Sequence, residues 1–367
     1  MKVALVHDYL KEYGGAERVL EALHEAFPQA DVYTSVYLPS YLGPHKERFK
    51  NWKIHTSWLQ YIPGKAKLIS PFRILSPLAF KAFDFSQYDV IITSATGAYF
   101  PNSLNKQGAK LFSYCHTPPR YLYGYATARQ WKTNPVLRVI GEIMNHFLRM
   151  VDFNASKNVD VYIANSKEVK RRIQKFYRQE ATVIYPPVDL PKGITDITVK
   201  NNREYFLTGG RLARAKHVDL IVKACTELNL PLTIFGKAFA GYGEELEAIA
   251  GTSIEFVGEV SDAEKLFLMR GAKAFLFASE DEDFGITPVE AMGQGTPVIA
   301  YFSGGVKETV VEEKTGMFFR ELTVKSLIET IKQFEKEKFS EVACIHRAKQ
   351  FSKKHFIQQI TSLVSQS

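Results

Sequence analysis

The sequence has little cysteine, no long apolar run and no histidine or cysteine cluster of metal-binding spacing. Its 3 cysteines, Cys115, Cys225 and Cys344, are odd in number and widely separated. They supply neither a disulfide framework nor a zinc motif, which favours a reducing, cytoplasmic setting. No stretch reaches roughly 18 apolar residues, so no transmembrane helix is expected. The N-terminus, MKVALVHDYL, has only a short apolar run closed by an acid, and reads as a first strand rather than a signal peptide. No helix-turn-helix, zinc-finger or RNA-binding signature is visible, so nucleic acid is not expected as a partner. The net charge of +8 and pI near 9.1 then point to phosphorylated ligands or an anionic membrane surface. The glycine pair near the N-terminus is not the six-residue dinucleotide fingerprint, so no nicotinamide cofactor is expected, and no metal.

What the chain does have is length and alternation. Its 367 residues suggest two domains, each able to bury a core. Short β-rich runs alternate with helical patterns. In the first half, strands are expected at Val3–His7, Asp31–Tyr37, Asp89–Thr93, Lys110–Cys115, Val159–Ala164 and Thr182–Tyr185. Helices are expected at Ala16–Ala26, Leu137–Ala155 and Lys167–Phe176. The proline-rich stretch Pro186–Arg203 reads as a linker. The alternation then restarts, with strands at Tyr205–Leu207, Leu232–Phe235, Ile254–Val257, Lys273–Phe277 and Pro297–Tyr301. Such alternation implies two parallel sheets with right-handed crossovers, an α/β protein of two Rossmann-like domains. The expected division is 1–190 and 191–350.

The most informative stretch is Ser279–Gly305, SEDEDFGITPVEAMGQGTPVIAYFSGG. A buried strand precedes it, and a helix starts at Gly285, Ile286 and Thr287. A helix start offers unpaired N–H groups and the positive end of the dipole, which suits a phosphate. A phosphate there leaves Glu290 one turn into the helix, placed to accept from sugar hydroxyls. Glu282 sits on the loop above, with Phe284 between the two acids.

Two further loops follow strands of the second half. In FLTGGRLARAKHVDL, Arg211 and Lys216 follow a glycine turn. Two such cations can converge on a diphosphate, one as a planar fork and one as a point charge. In IEFVGEVSDAEKLF, a strand gives way to a helix near Asp262. Asp262 reads either as the helix N-cap or as an acceptor for the paired N–H donors of guanine.

In the first half, Gly14 and Gly15 follow the first strand and allow close backbone approach to a ligand. Glu17 follows on the helix start. In SYCHTPPRYLY, His116 ends a strand on a loop of the kind that carries active sites, and Arg120 lies on the same loop. Ser166 in YIANSKEV reads as an N-cap or as a site residue.

These segments resemble, in order and over nearly the whole chain, the family 4-type retaining glycosyltransferases, and among them the bacterial O-antigen-type mannosyltransferases. The resemblance rests on E-x-F-G-x-x-x-x-E at Glu282–Glu290, on G-R-L-x-x-x-K with His217 where glycine is common, and on H-D-x-L with G-G-A-E-R. It implies the GT-B fold, with two Rossmann-like domains facing a cleft. It also implies that the C-terminal residues 351–367, which begin within AKQFSKKHF at Ala348–Phe356, complete the first domain. By the resemblance, Arg211 and Lys216 hold the leaving diphosphate and the backbone near Val260 meets the base. Val260, Asp262 and Lys265 resemble the spacing of enzymes that use GDP-mannose, which is therefore favoured over a UDP-sugar. His116 contacts the transferred sugar and the phosphate side. The implied activity is metal-independent transfer of a hexose, favouring mannose, to a glycan or polyprenyl-linked acceptor in cell-surface polysaccharide assembly. A same-fold epimerase or hydrolase and a non-catalytic scaffold subunit remain as alternatives. The basic, aromatic-rich segments Trp58–Phe85 and Pro135–Met150 fit peripheral contact with the inner face of a membrane.

Overall fold

The computed structural model describes residues 1–125, 135–190, 203–239 and 241–366, so most of the expected linker lies outside the described residues. The chain divides into two compact units. The first holds the N-terminal residues to Pro187 together with Lys354–Ser367, and the second holds Val188–Lys353.

The first unit contains β1 (Val3–His7), α1 (Gly15–Ala26), β2 (Asp31–Thr34), β3 (Ile54–Thr56), α2 (Ile69–Lys81), β4 (Val90–Ala95), β5 (Lys110–Cys115), α3 (Pro135–Ser156), β6 (Val161–Ala164), α4 (Lys167–Tyr177) and β7 (Ala181–Val183). The second contains β8 (Tyr205–Gly209), α5 (Val218–Glu227), β9 (Leu232–Phe235), α6 (Tyr242–Glu247), β10 (Ile254–Gly258), α7 (Asp262–Gly271), β11 (Ala272–Phe277), α8 (Ile286–Gly293), β12 (Val298–Tyr301), α9 (Val306–Thr309), β13 (Gly316–Phe319), α10 (Val324–Phe334) and α11 (Glu341–Lys349). The last helix, α12 (Lys353–Ser365), gives Phe356, Ile360 and Val364 to the core of the first unit.

Both sheets are parallel. The first runs β3-β2-β1-β4-β5-β6-β7 and the second β10-β9-β8-β11-β12-β13. Helices on both faces explain why β1 and β4 are buried along their whole length and read as continuous apolar runs. In each sheet the strand order reverses once, between β1 and β4 and between β8 and β11. Ligands of such sheets bind beyond the strand C-termini at that reversal.

Three expectations need correction. The strand expected over Asp31–Tyr37 is continuous only to Thr34, and Tyr37 returns to the pairing as an isolated bridge to Leu10. The strands β3 and β13 were not expected. Each is an edge strand of at most 4 residues, too short to show a period. Asp262 is not the cap of α7. Ser261 is, accepting from Glu264 N–H at 3.2 Å while the Glu264 carboxylate accepts from Ser261 N–H at 2.8 Å.

Candidate active site

In the second unit, β8 ends in Gly209 and Gly210, whose φ of +115° only glycine adopts freely. A Cβ on Gly210 would stand 3.8 Å from Thr287 Oγ1, so this turn lies against the start of α8. Arg211 follows on the surface. A single 3₁₀ turn over Arg214–Lys216 leads to His217, which caps α5 with φ +47°. The resemblance places glycine there, and the left-handed backbone is the reason.

Lys216 Nζ donates to Glu282 Oε2, and Ser279 Oγ donates to the same oxygen at 2.7 Å. The sequence brought both charged residues to the site but did not pair them, and it missed Ser279. The acidic loop is held from beneath by two glycines. Gly305 N–H donates to Glu282 C=O at 2.7 Å, and a Cβ on Gly304 would come within 2.2 Å of that carbonyl oxygen. Asp281 and Asp283 flank Glu282 in a D-x-D spacing that the sequence reading passed over. Among the described residues, no three His, Cys, Asp or Glu side chains converge as metal ligands.

Gly285, with φ +88°, caps α8, whose first turn presents the amides of Ile286 and Thr287. Phe284 points into the protein, its ring meeting Phe351 edge-on at 5.4 Å. It anchors the loop. Glu290 is 4% exposed and accepts from Lys265 Nζ at 2.8 Å. Lys265 also stands 3.4 Å from Asp262 Oδ1. The structure therefore joins Asp262, Lys265 and Glu290 in one cluster, beside the loop that carries Val260.

In the first unit the residues come from three strands. His7 ends β1 and is the register partner of Ser94 on β4. His7 Nδ1 lies 3.1 Å from Ser94 Oγ, and Ser94 Oγ lies 2.9 Å from His116 Nε2 just beyond β5. On the other side, His7 Nε2 stands 3.5 Å from Glu17 Oε1. Burial and the neighbouring His7 push the His116 pKa down to about 3, so the ring is neutral. Glu17 is buried and its Oε2 accepts from the N–H of Gly14, the N-cap of α1, at 2.8 Å, so it also closes the start of that helix. Gly15 is the first helical residue. Ser94 was invisible to sequence reasoning, because nothing local marks a serine inside an apolar strand.

Beyond His116, the loop carrying Arg120 is fastened to α3. Arg149 Nη1 donates to Leu122 C=O at 3.0 Å, and Tyr123 OH donates to Asp152 Oδ2 at 2.8 Å. Tyr177 OH also donates to Asp152, at 3.2 Å. Ser166 is the N-cap of α4, accepting from Val169 N–H at 3.0 Å, with its side chain fully buried. The structure thus gives it a capping bond.

Residues 13–192 match the family described as Glycosyltransferase Family 4, and residues 194–351 match Glycosyl transferases group 1. The chain is 24% identical over 376 residues to the Alpha-1,3/1,6-mannosyltransferase ALG2 of Rhizomucor pusillus, covering 86% of this chain and 80% of that one. Against the human protein of the same name it is 23% identical over 280 residues, covering 68% and 65%. Among solved structures, Anabaena Alr3699/HepE in complex with UDP and glucose aligns with a TM-score of 0.73 at 20% identity, covering 100% of this chain and 99% of that one. Sucrose-phosphate synthase from Thermosynechococcus elongatus aligns with a TM-score of 0.72 at 20% identity over the same shares. The chain has the GT-B fold of these structures, and it belongs to the family 4-type glycosyltransferases.

Proposed function

We propose that the protein is a retaining mannosyltransferase that takes mannose from GDP-mannose and passes it to a lipid-linked glycan. The observation that carries the donor side is a pair of cation–carboxylate contacts beyond the strand ends of one sheet, Lys216–Glu282 between the segments after β8 and β11 and Lys265–Glu290 between α7 and α8. Arg211, Lys216 and the first amides of α8 would stabilise the charge that grows on the departing diphosphate. Glu290 would accept from ribose, and Glu282 from the transferred sugar. Asp262 suits the paired N–H donors of guanine, and its release from the capping role supports that assignment. Retention calls for attack on the face from which the diphosphate leaves, with a diphosphate oxygen taking the acceptor proton. The names of the mannosyltransferase relatives support the sugar.

The acceptor side rests on α3 and on charge. Val139, Ile140, Ile143, Phe147 and Met150 of α3 are more than half exposed, an apolar stripe left on the surface of the first unit. Residues 48–141 hold thirteen Lys and Arg against two acids, Asp84 and Asp89. An apolar stripe that begins where so basic a stretch ends fits the anionic inner face of a cell membrane, where a polyprenyl-linked acceptor would reside. Among the described residues, no helix is long and apolar enough to cross a membrane.

A panel of sugar nucleotides, offered with a polyprenyl-diphosphate glycan and without divalent metal, tests the reading. Mannosylated lipid formed from GDP-mannose is the expected product. Epimerised donor, or free sugar alone, would replace transferase by one of the alternatives.

A further inference from the structure

Glu17, His7, Ser94 and His116 form a row of side chains that crosses the first unit from the start of α1 to the end of β5. Successive members stand 3.5, 3.1 and 2.9 Å apart, and His7, Ser94 and Glu17 are buried. Water does not compete between these three, so they must share out their hydrogens among themselves and with His116.

For a His7 ring that carries a single proton, the sharing has one direction. His7 Nε2 is buried and makes no hydrogen bond, and the Glu17 carboxylate stands 3.5 Å from it. A nitrogen lone pair facing a carboxylate would be repelled, whereas an N–H is attracted. The His7 proton therefore sits on Nε2, and Nδ1 becomes an acceptor. Ser94 has one hydroxyl hydrogen and places it on His7 Nδ1. Its oxygen then accepts from His116, whose own proton must be on Nε2. That leaves a lone pair on His116 Nδ1, and among the described residues no hydrogen bond holds that atom.

We infer that Glu17, His7 and Ser94 are positioning residues that fix the tautomer of His116, so that His116 Nδ1 accepts a hydrogen bond from a hydroxyl of the sugar substrate and not one from a phosphate. A phosphate oxygen brings no hydrogen and would face the lone pair. A sugar hydroxyl brings one. The consequence for substrate binding rests on the reading of His116 as substrate-facing; the direction of the row does not.

The decisive variant is Glu17→Gln. Its amide oxygen still accepts from Gly14 N–H, so the start of α1 keeps its cap. Its amide nitrogen then faces His7 Nε2 as a donor. The whole row reverses: His7 carries its proton on Nδ1, Ser94 donates to His116 Nε2, and His116 carries its proton on Nδ1. Nitrogen-15 NMR of the histidine-labelled full chain reads each ring nitrogen directly, with His116 assigned by His116→Gln. The expected result is protonated Nε2 in the wild type, protonated Nδ1 in Glu17→Gln, and a mixture in Ser94→Ala, where the row is cut. A proton on Nδ1 in the wild type, or one that stays on Nε2 in both variants, would overturn the inference. Turnover adds a second readout. Glu17→Gln and Ser94→Ala should each lower kcat about tenfold, the scale of one neutral hydrogen bond, while the Kd for GDP stays unchanged. The expected NMR shifts with unchanged turnover would leave the row standing and overturn the reading of His116 as substrate-facing.

Discussion

The two candidate half-sites occupy the same topological place in their sheets and are built on opposite principles. In the second unit, opposite charges lie in pairs, Lys216 with Glu282 and Lys265 with Glu290. A ligand that carries phosphates and hydroxyls can take over such partners, exchanging one charged contact for another. In the first unit, Glu17, His7, Ser94 and His116 stand in a row at 3.5, 3.1 and 2.9 Å, and no Lys or Arg belongs to it. Paired charges hold a donor by strength. A row of this kind aims one atom, so its effect is expected in turnover before affinity. On the proposed reading, equivalent positions of one fold serve binding in one unit and orientation in the other.

The largest effect that would break this contrast is on the diphosphate cation. Lys216→Met should lower transfer about 10²- to 10³-fold, the scale of removing one stabilising group from developing anionic charge, as measured by steady-state kinetics. A loss confined to KM would mean that Lys216 holds the ground state equally well. Next comes the cradle beneath the acidic loop. Gly304 has φ +64°, and a Cβ there would meet backbone at 2.2 Å. Gly304→Ala should cost at least about 1 kcal/mol, which lowers the melting temperature of a unit this size by about 2–4 °C or more.

A third prediction concerns Asp152, whose carboxyl burial pushes up to about 7 although Tyr123 and Tyr177 donate to it. The folded chain thus holds this proton more tightly than the unfolded chain. Stability from this group is complete below the ordinary carboxylate value and is lost as pH rises through about 7. Melting of the first unit should therefore occur at a lower temperature at pH 8 than at pH 6, and Asp152→Asn should flatten that difference. The smallest effect is at the surface. Replacing Lys65, Lys67 and Arg73 by Gln should weaken binding to anionic vesicles by about 1 kcal/mol per residue at low salt, and less as salt rises. Co-sedimentation measures it, and wild-type binding that ignores salt would remove the membrane reading.

The sequence showed the second unit far better than the first, for a physical reason. Its charged residues lie close along the chain, on loops whose glycines and helix starts announce themselves. Glu282 and Glu290 share one loop and one helix, so spacing alone places them. What spacing could not show is pairing: Lys216 and Glu282 are 66 residues apart, and Lys265 and Glu290 are 25 apart. In the first unit, His7, Ser94 and His116 meet only because β1, β4 and β5 are neighbours in the sheet. His7 and His116 stand at the polar ends of apolar runs, which mark a strand terminus and nothing more, and Ser94 lies inside its strand. The strand alternation itself gave the two sheets, since runs buried on both faces are apolar throughout. Short edge strands lack that signature, which is why β3 and β13 escaped notice. Asp262 stayed open between cap and ligand acceptor because Asp and Ser cap helices about equally well, and only the Ser261–Glu264 bonds show which of the two residues caps α7.

The central claim, that the donor is held by paired charges in the second unit while the buried row of the first only orients, is tested most directly by calorimetry. GDP is titrated into wild type, Glu290→Gln and Ser94→Ala without divalent metal, each first shown to melt cooperatively. Glu290→Gln should bind at least about 10-fold more weakly, because a hydrogen bond to a charged group is worth about 1.5–3 kcal/mol. Ser94→Ala should bind as the wild type does. Equal affinity in Glu290→Gln, or a comparable loss in Ser94→Ala, would contradict the account.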